Sequence, residues 1–350
     1  MDHTGYRQNE PHIVTPHAVA MGNPYLKLFT HALQERGISC SDQFHLSPQA
    51  IWRNRDKIHA VHLHWPEFLA RRWRSLARVL LSLGLIKALG IRLIWTVHNL
   101  VPHETNWHGQ TAQLFLGKFA DLLICHTKGV ADESKLRFAP RGTAVVMPLG
   151  NYSGAFPTPR PRNVVAKELG LNLRVPTLLC AGYLRDYKNI ELIVEAVRGY
   201  KKPIQLIIAG KPHQRFEIGP LERTVDGMGN VVLIPNHLSD QRLADLHGLS
   251  DAVLLAYSRI TGSAALLTAW TFGVGVIASD LGYFREMIPE ESNAGTLFAN
   301  GDVISLREAI ERYLAITNDE RRGSASRMAA KYDWDRCVQP VVSIFRKWWS

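Results

Sequence analysis

Short apolar runs, each closed by a turn or a small polar cluster, recur along this chain and alternate with segments of helical spacing. In the first half the runs cover residues 11–15, 58–64, 91–97, 120–125 and 144–148, and they predict buried parallel strands. Between them, 26–36 carries Leu26, Phe29 and Leu33 at helical spacing and stops at Gly37. Residues 68–89 and 110–119 read as two more helices. The second half restarts with runs at 177–181, 204–209, 231–234, 251–256 and 274–278. Helices are predicted over 190–198, 239–248, 264–272 and 302–316. Strand–helix alternation in both halves predicts an α/β protein with two doubly wound parallel sheets, each Rossmann-like. The expected division is a first domain at 1–152, a linker with a short helix at 153–176, and a second domain at 177–335. Pro157, Pro159, Pro161 and Pro176 mark the linker. A last helix over 336–350 would return to the first domain.

Composition narrows the class. With 46% hydrophobic and 21% charged residues, the 350-residue chain has the balance of a globular protein and the length for two cores. No apolar run approaches the roughly 20 residues of a membrane-spanning helix. The polar opening at 1–12 has no hydrophobic core of a signal peptide, so the expected place is the cytoplasm, with reach to the inner face of the cell membrane. Cys40, Cys125, Cys180 and Cys337 form no C-x-x-C pair and read as reduced thiols. The formal charge of +10 asks for an acidic partner.

Ligands of open parallel sheets bind at the carboxyl ends of the strands, here expected in a cleft between two domains. The first half places His64, Glu67, His98, His103, Glu104 and His126 at such ends. His62 and His64 also read as ordinary buried histidines, and Glu67 as a helix cap. The second half places Arg185, Lys188, Lys211, Arg259, Ser263 and Glu286 at strand ends. The stretch 257–288 is a strand end, a hydroxyl-rich turn, a helix and a second strand. A helix N-terminus behind such a turn presents N–H groups and partial positive charge to a phosphate. Acid–base groups on one domain and phosphate-grade cations on the other suit transfer from a nucleotide-diphosphate donor. The segment 68–89 sets Arg71, Arg72, Arg74 and Arg78 beside Trp73 and leucines. It reads as a solvated face or as an anionic membrane surface; nucleic acid is not expected, because no reading motif accompanies the charge.

At this point the chain resembles a known family. Residues 182–188 (GYLRDYK), 208–210 (IAG) and 261–286 resemble the donor half of a GT-B glycosyltransferase, over most of 174–335. In the first half, 62–67 (HLHWPE) and 97–104 (VHNLVPHE) resemble bacterial exopolysaccharide transferases related to the xanthan-assembly β-mannosyltransferase. The resemblance implies that Gly182, Arg185, Lys188, Gly210, Lys211, Tyr257, Gly262, Ser263, Thr268 and Glu286 bind the donor. Asn23 and Tyr25, at the turn before the first helix, join His64, Trp65 and His126 as acceptor-binding candidates. Glu67, His98 and Glu104 are the catalytic candidates. No cofactor is implied beyond a nucleotide-sugar co-substrate, with GDP-mannose suggested by the resemblance alone, and the acceptor would be a saccharide or lipid-linked saccharide.

One departure bears on mechanism. The large retaining group carries two glutamates separated by seven residues here, and this chain has Ile260 and Thr268 at those positions. An apolar Ile260 cannot grip sugar hydroxyls, so inversion is expected, with one general base on the acceptor side. No Asp-x-Asp motif falls at a predicted strand end, so a metal-independent reaction is expected. A retaining GT-B enzyme and a non-catalytic phosphosugar-binding protein are the alternatives.

Overall fold

The computed structural model describes residues 11–16, 24–100 and 107–350. The chain divides into two compact units, 1–150 with 334–350, and 151–333. The first unit runs β1 (His12–Pro16), α1 (Tyr25–Gln34), β2 (Ser39–Phe44), α2 (Pro48–Asn54), β3 (Ala60–Leu63), α3 (Pro66–Leu69), α4 (Trp73–Ala88), β4 (Arg92–Thr96), α5 (Trp107–Phe119), β5 (Leu122–Cys125), α6 (Lys128–Phe138) and β6 (Thr143–Val146). The second runs α7 (Arg162–Leu169), β7 (Thr177–Ala181), a 3-10 turn at Asp186–Lys188, α8 (Ile190–Arg198), β8 (Gln205–Ala209), α9 (Ile218–Val225), β9 (Val231–Ile234), α10 (Asp240–Leu249) and β10 (Ala252–Leu255). It continues with α11 (Ala264–Thr271), β11 (Val276–Ser279), α12 (Gly282–Met287), β12 (Gly295–Phe298), α13 (Val303–Ala315) and α14 (Asn318–Lys331). Finally α15 (Trp334–Cys337) and α16 (Gln339–Trp349) belong to the first unit.

Both sheets have six strands, all paired in parallel. The first has the order β2-β1-β3-β4-β5-β6, which reverses direction between β1 and β3. The second, β12-β11-β10-β7-β8-β9, reverses between β7 and β10, the dinucleotide-fold order. Alternation along the strands splits the first sheet's faces. Val61, Leu63, Leu93, Trp95 and Leu123 pack under Leu76, Val79, Leu83 and Ile86 of α4 and Ala112 and Leu116 of α5. Each fully buried leucine or isoleucine there contributes about 1.5–3 kcal/mol before chain entropy is counted. His62 and Thr96 point to the opposite face, where Phe29 of α1 lies against His62.

Two expectations change. The helix expected over 68–89 is broken into α3 and α4. Ala70 is fully buried and Arg72 is extended, and the Arg72 N–H donates to the Ser75 hydroxyl at 2.9 Å, so a new helix starts at Trp73. Residues 153–176, read as a linker, lie in the second unit. The buried Asp245 of α10 accepts from the Arg160 backbone N–H at 2.8 Å and its Nε at 2.7 Å, while α7 packs against α10. That unit ends at Asp333 rather than at 335.

Candidate active site

At the first sheet's reversal, β1 leads toward α1 while β3, β4 and β5 deliver His64, His98 and His126. Tyr25, at the start of α1, sets its ring edge-on to all three, with centroids 5.7, 5.1 and 5.8 Å away. His64 Nδ1 and His98 Nε2 are 3.1 Å apart and share one hydrogen bond. Trp65 stacks on His98 at 4.4 Å. His62 lies 4.1 Å from His64, ring to ring, and bonds Thr96 Oγ1 at 2.8 Å. His126 Nδ1 donates to the Met147 carbonyl at 3.0 Å. A carbonyl only accepts, so His126 Nε2 carries the lone pair. That nitrogen and His64 Nε2 are buried without a hydrogen-bond partner among the described residues.

Burial lowers the proton affinity of His62, to about 3, and of His64, His98 and His126. For His64 the three neighbouring rings act in the same direction, and for His126 the bond to Met147 opposes burial. The cluster is therefore neutral near pH 7. Glu67 lies in the first turn of α3, two residues after Trp65, which stacks on His98. Gln113 Nε2 approaches its Oε2 at 3.5 Å, and Asn99, next to His98, also bonds its side chain. Burial raises the Glu67 carboxyl, and its own backbone N–H, Asn99 and Gln113 pull part of that shift back. A carboxylate so placed is a better base than an exposed one. Asn23, His103 and Glu104 lie outside the described residues.

The second sheet reverses between β7 and β10, where Gly182 and Tyr257 follow the strand ends. Lys188 is 5% exposed, and its Nζ donates to the Ala181 carbonyl at 2.7 Å. Burial lowers its amine, and the neighbouring Arg185 acts likewise against Cys180. Gly182 has φ +87°, and a side chain there would meet Lys188 Nζ. Gly210, φ +146°, packs so closely that a Cβ would strike the Gly182 carbonyl. These two glycines let loop backbone close around the ammonium. Arg185 lies over the Tyr183 ring at 5.9 Å. Tyr187 meets Tyr257 edge-on at 5.3 Å, and its carbonyl accepts from Ser258 N–H at 2.7 Å, tying the two loops together.

Of the other donor candidates, only Glu286 is placed differently from expectation. Ser263 caps α11, accepting from Leu266 N–H at 3.2 Å, and also bonds Tyr257, so its hydroxyl serves the fold. Gly262 sits half-exposed in the turn before it, and Thr268 is buried in the second turn of α11. Lys211 is exposed, its carbonyl accepting from Leu184 N–H. Glu286, expected in a loop, is an exposed residue near the end of α12. Sequence reasoning missed Phe29, which packs on His62 and His64, Trp334, which packs on Tyr25 and Phe29, and Gln113 on Glu67. Phe29 stood in the helical stripe of α1; Trp334 and Gln113 carried no signal. Among the described residues no group of three or more His, Cys, Asp or Glu is disposed to hold a metal ion. The chain's one Asp-x-Asp, at 333–335, includes Asp335, which pairs with Arg36 at 2.9 Å.

Two doubly wound six-stranded units with ligand-grade side chains at their reversal points are the architecture of the GT-B fold. Residues 162–331 match the family described as glycosyl transferases group 1. It is similar to GDP-mannose:glycolipid 4-beta-D-mannosyltransferase of Xanthomonas campestris pv. campestris, 25% identical over 263 residues, 73% of this chain and 69% of the relative. D-inositol 3-phosphate glycosyltransferase of Xylanimonas cellulosilytica is 23% identical over 238 residues, 65% of this chain and 57% of that relative. The chain thus matches little more than half the length of the second relative. Sucrose-phosphate synthase from Thermosynechococcus elongatus shares the fold, with TM-score 0.71, 17% identity, and 97% and 98% of the two chains covered. Anabaena HepE, solved with UDP and glucose, gives TM-score 0.73 at 13% identity, covering 97% and 100%.

Proposed function

We propose that the protein moves a hexose, mannose from GDP-mannose, to a saccharide or lipid-linked saccharide acceptor in exopolysaccharide or cell-surface glycan assembly. It would act in the cytoplasm, at the inner face of the cell membrane, with inversion and without a metal. The activity named for the Xanthomonas relative supports the sugar, the nucleotide and the glycolipid acceptor. The observation that carries the reading is Lys188. Among the described residues this buried ammonium has one hydrogen-bond acceptor, a backbone carbonyl, and no carboxylate partner. A buried cation without a counter-charge is costly, and a diphosphate arriving at the β7 loop would supply one. Arg185 beside it would share the charge that develops on the leaving nucleotide diphosphate.

On the acceptor side, Glu67 would take the proton of the attacking hydroxyl, while the neutral rings of His98 and His126 accept or orient neighbouring hydroxyls. Ile260, where the retaining group has a glutamate, supports inversion. The test is transfer from GDP-mannose and UDP-glucose to a panel of saccharide and glycolipid acceptors, with proton NMR of the fresh product. A β-linked product from an α-linked donor is expected. An α-linked product would overturn inversion, and nucleotide-sugar binding without turnover on any acceptor would leave a binding protein.

A further inference from the structure

The helical layer over one face of the first sheet is apolar on its outer side as well as its inner one. In α4 the inner stripe is Leu76, Val79, Leu83 and Ile86, all buried. The outer stripe, at matching helical spacing, is Trp73, Ala77, Leu81, Gly84 and Ala88, all exposed and none charged. A surface helix ordinarily turns a polar face to water. The neighbours continue the pattern: α2 packs on α4, and α4 on α5. Trp52 of α2, Phe68 of α3, Trp73 and Leu81 of α4, and Trp107 and Leu114 of α5 are each between 45% and 66% exposed. Three of these rings carry a guanidinium: Arg55 over Trp52 at 4.6 Å, Arg71 over Phe68 at 5.3 Å and Arg74 over Trp73 at 5.3 Å.

The charge is of one sign. From Phe68 to Ala120 the only acidic residue is Glu104. Arg71, Arg72, Arg74 and Arg78 have no carboxylate partner among the described residues. Arg55, over Trp52, pairs with Asp56 at 3.5 Å; tryptophans and leucines flanked by the other four arginines match the boundary of an anionic bilayer, where the rings enter the headgroup layer and the guanidinia meet lipid phosphates. Trp73 and Trp107 also open their helices on the carboxyl-end side of the sheet, the end that delivers Glu67 and His98.

We propose that the outer face of α2, α3, α4 and α5 docks on an anionic lipid bilayer, with Trp52, Trp73 and Trp107 entering the interface. This goes beyond sugar transfer and does not rest on it, since docking needs neither donor nor acceptor. The experiment is sedimentation of the full chain with vesicles of phosphatidylglycerol and phosphatidylcholine, against phosphatidylcholine alone, at low and high salt. Binding to the anionic vesicles should exceed binding to neutral ones at least tenfold, with each arginine at the surface worth roughly fivefold. The triple variant Trp52→Ser, Trp73→Ser, Trp107→Ser, its fold checked by circular dichroism, keeps every arginine and should still lose about tenfold or more. Vesicles with brominated acyl chains should quench the parent's tryptophan emission and spare the triple variant. Equal binding by parent and variant would overturn the proposal, as would a parent that ignores anionic vesicles at low salt. A concentration-dependent dimer abolished in the triple variant, without vesicle binding, would assign the face to a second copy instead. Transfer to a soluble acceptor by the triple variant separates this outcome from a failure of the enzymatic reading.

Discussion

At the carboxyl end of the first sheet the strands deliver rings that are buried and uncharged: His64 and His98 bonded to each other, His126 bonded to a carbonyl, Tyr25 set against all three. At the carboxyl end of the second they deliver a buried ammonium, an arginine beside it, and two glycines that bring backbone close. One architecture thus carries two chemistries. A neutral cluster with bare ring nitrogens suits hydroxyl groups, and a desolvated cation suits phosphate. Their separation on different units means that substitutions should split cleanly between turnover and donor affinity.

The largest split is expected at Glu67. Glu67→Gln keeps the shape and the hydrogen bond from Gln113 only in part, and it removes the proton acceptor. Turnover should fall by on the order of 10²-fold or more, while donor affinity measured by calorimetry stays unchanged. A Glu67→Gln enzyme with near-parent turnover would move the base to His98 or to Glu104.

Next comes Lys188. Replacement by Met fills a similar volume without charge. Loss of a charge-assisted contact to the donor should weaken nucleotide-sugar binding by about 1.5–3 kcal/mol, roughly ten- to a hundredfold. Because the ligand-free protein no longer buries an unpaired cation, its melting temperature should hold or rise. Unchanged donor affinity would show that Lys188 is a structural lysine held by Ala181, and the contrast between the two units would collapse.

The same contrast explains what was legible in the sequence. Central strands such as Leu122–Cys125 and Gln205–Ala209 are covered on both faces and so must be apolar throughout. The strands that escaped notice, Ser39–Phe44 and Gly295–Phe298, are the outermost of their sheets. An edge strand is partly solvated, and SCSDQF shows no apolar run to betray it. Lys188 and Gly182 were legible because the loop after β7 that brings them together is contiguous in sequence. The cluster of the first unit was legible only in part: His64, His98 and His126 announce strand ends, but Trp334 reaches Tyr25 from more than 300 residues away. The break at Ala70–Arg72 was hidden because every residue of 68–89 tolerates helix, and a single hydroxyl, Ser75, decides where the second helix begins.

The smallest expected effect concerns acid. His62 is fully enclosed and its proton affinity falls to about 3, from an ordinary 6.5. In the unfolded chain it would titrate near 6.5, so below that pH the unfolded state binds a proton that the folded state refuses. Its contribution to stability is therefore whole above about pH 6.5 and drains away as pH falls toward 3. At pH 5 the loss from His62 alone is about 2 kcal/mol. His64, His98 and His126 shift in the same direction and sharpen the slope, whereas the second unit has one comparable histidine, His247, lowered to about 4 by burial against its bond to Leu243. Hydrogen exchange at pH 7.5 and pH 5 should show peptides of the first unit losing protection before those of the second, once rates are corrected for intrinsic pH dependence. His62→Leu, which removes the titrating ring, should flatten that difference while costing some stability at pH 7.5 through the orphaned Thr96 hydroxyl. If both units lose protection together, or if His62→Leu leaves the pH dependence as it was, the neutral cluster is not what sets the acid response of the first unit.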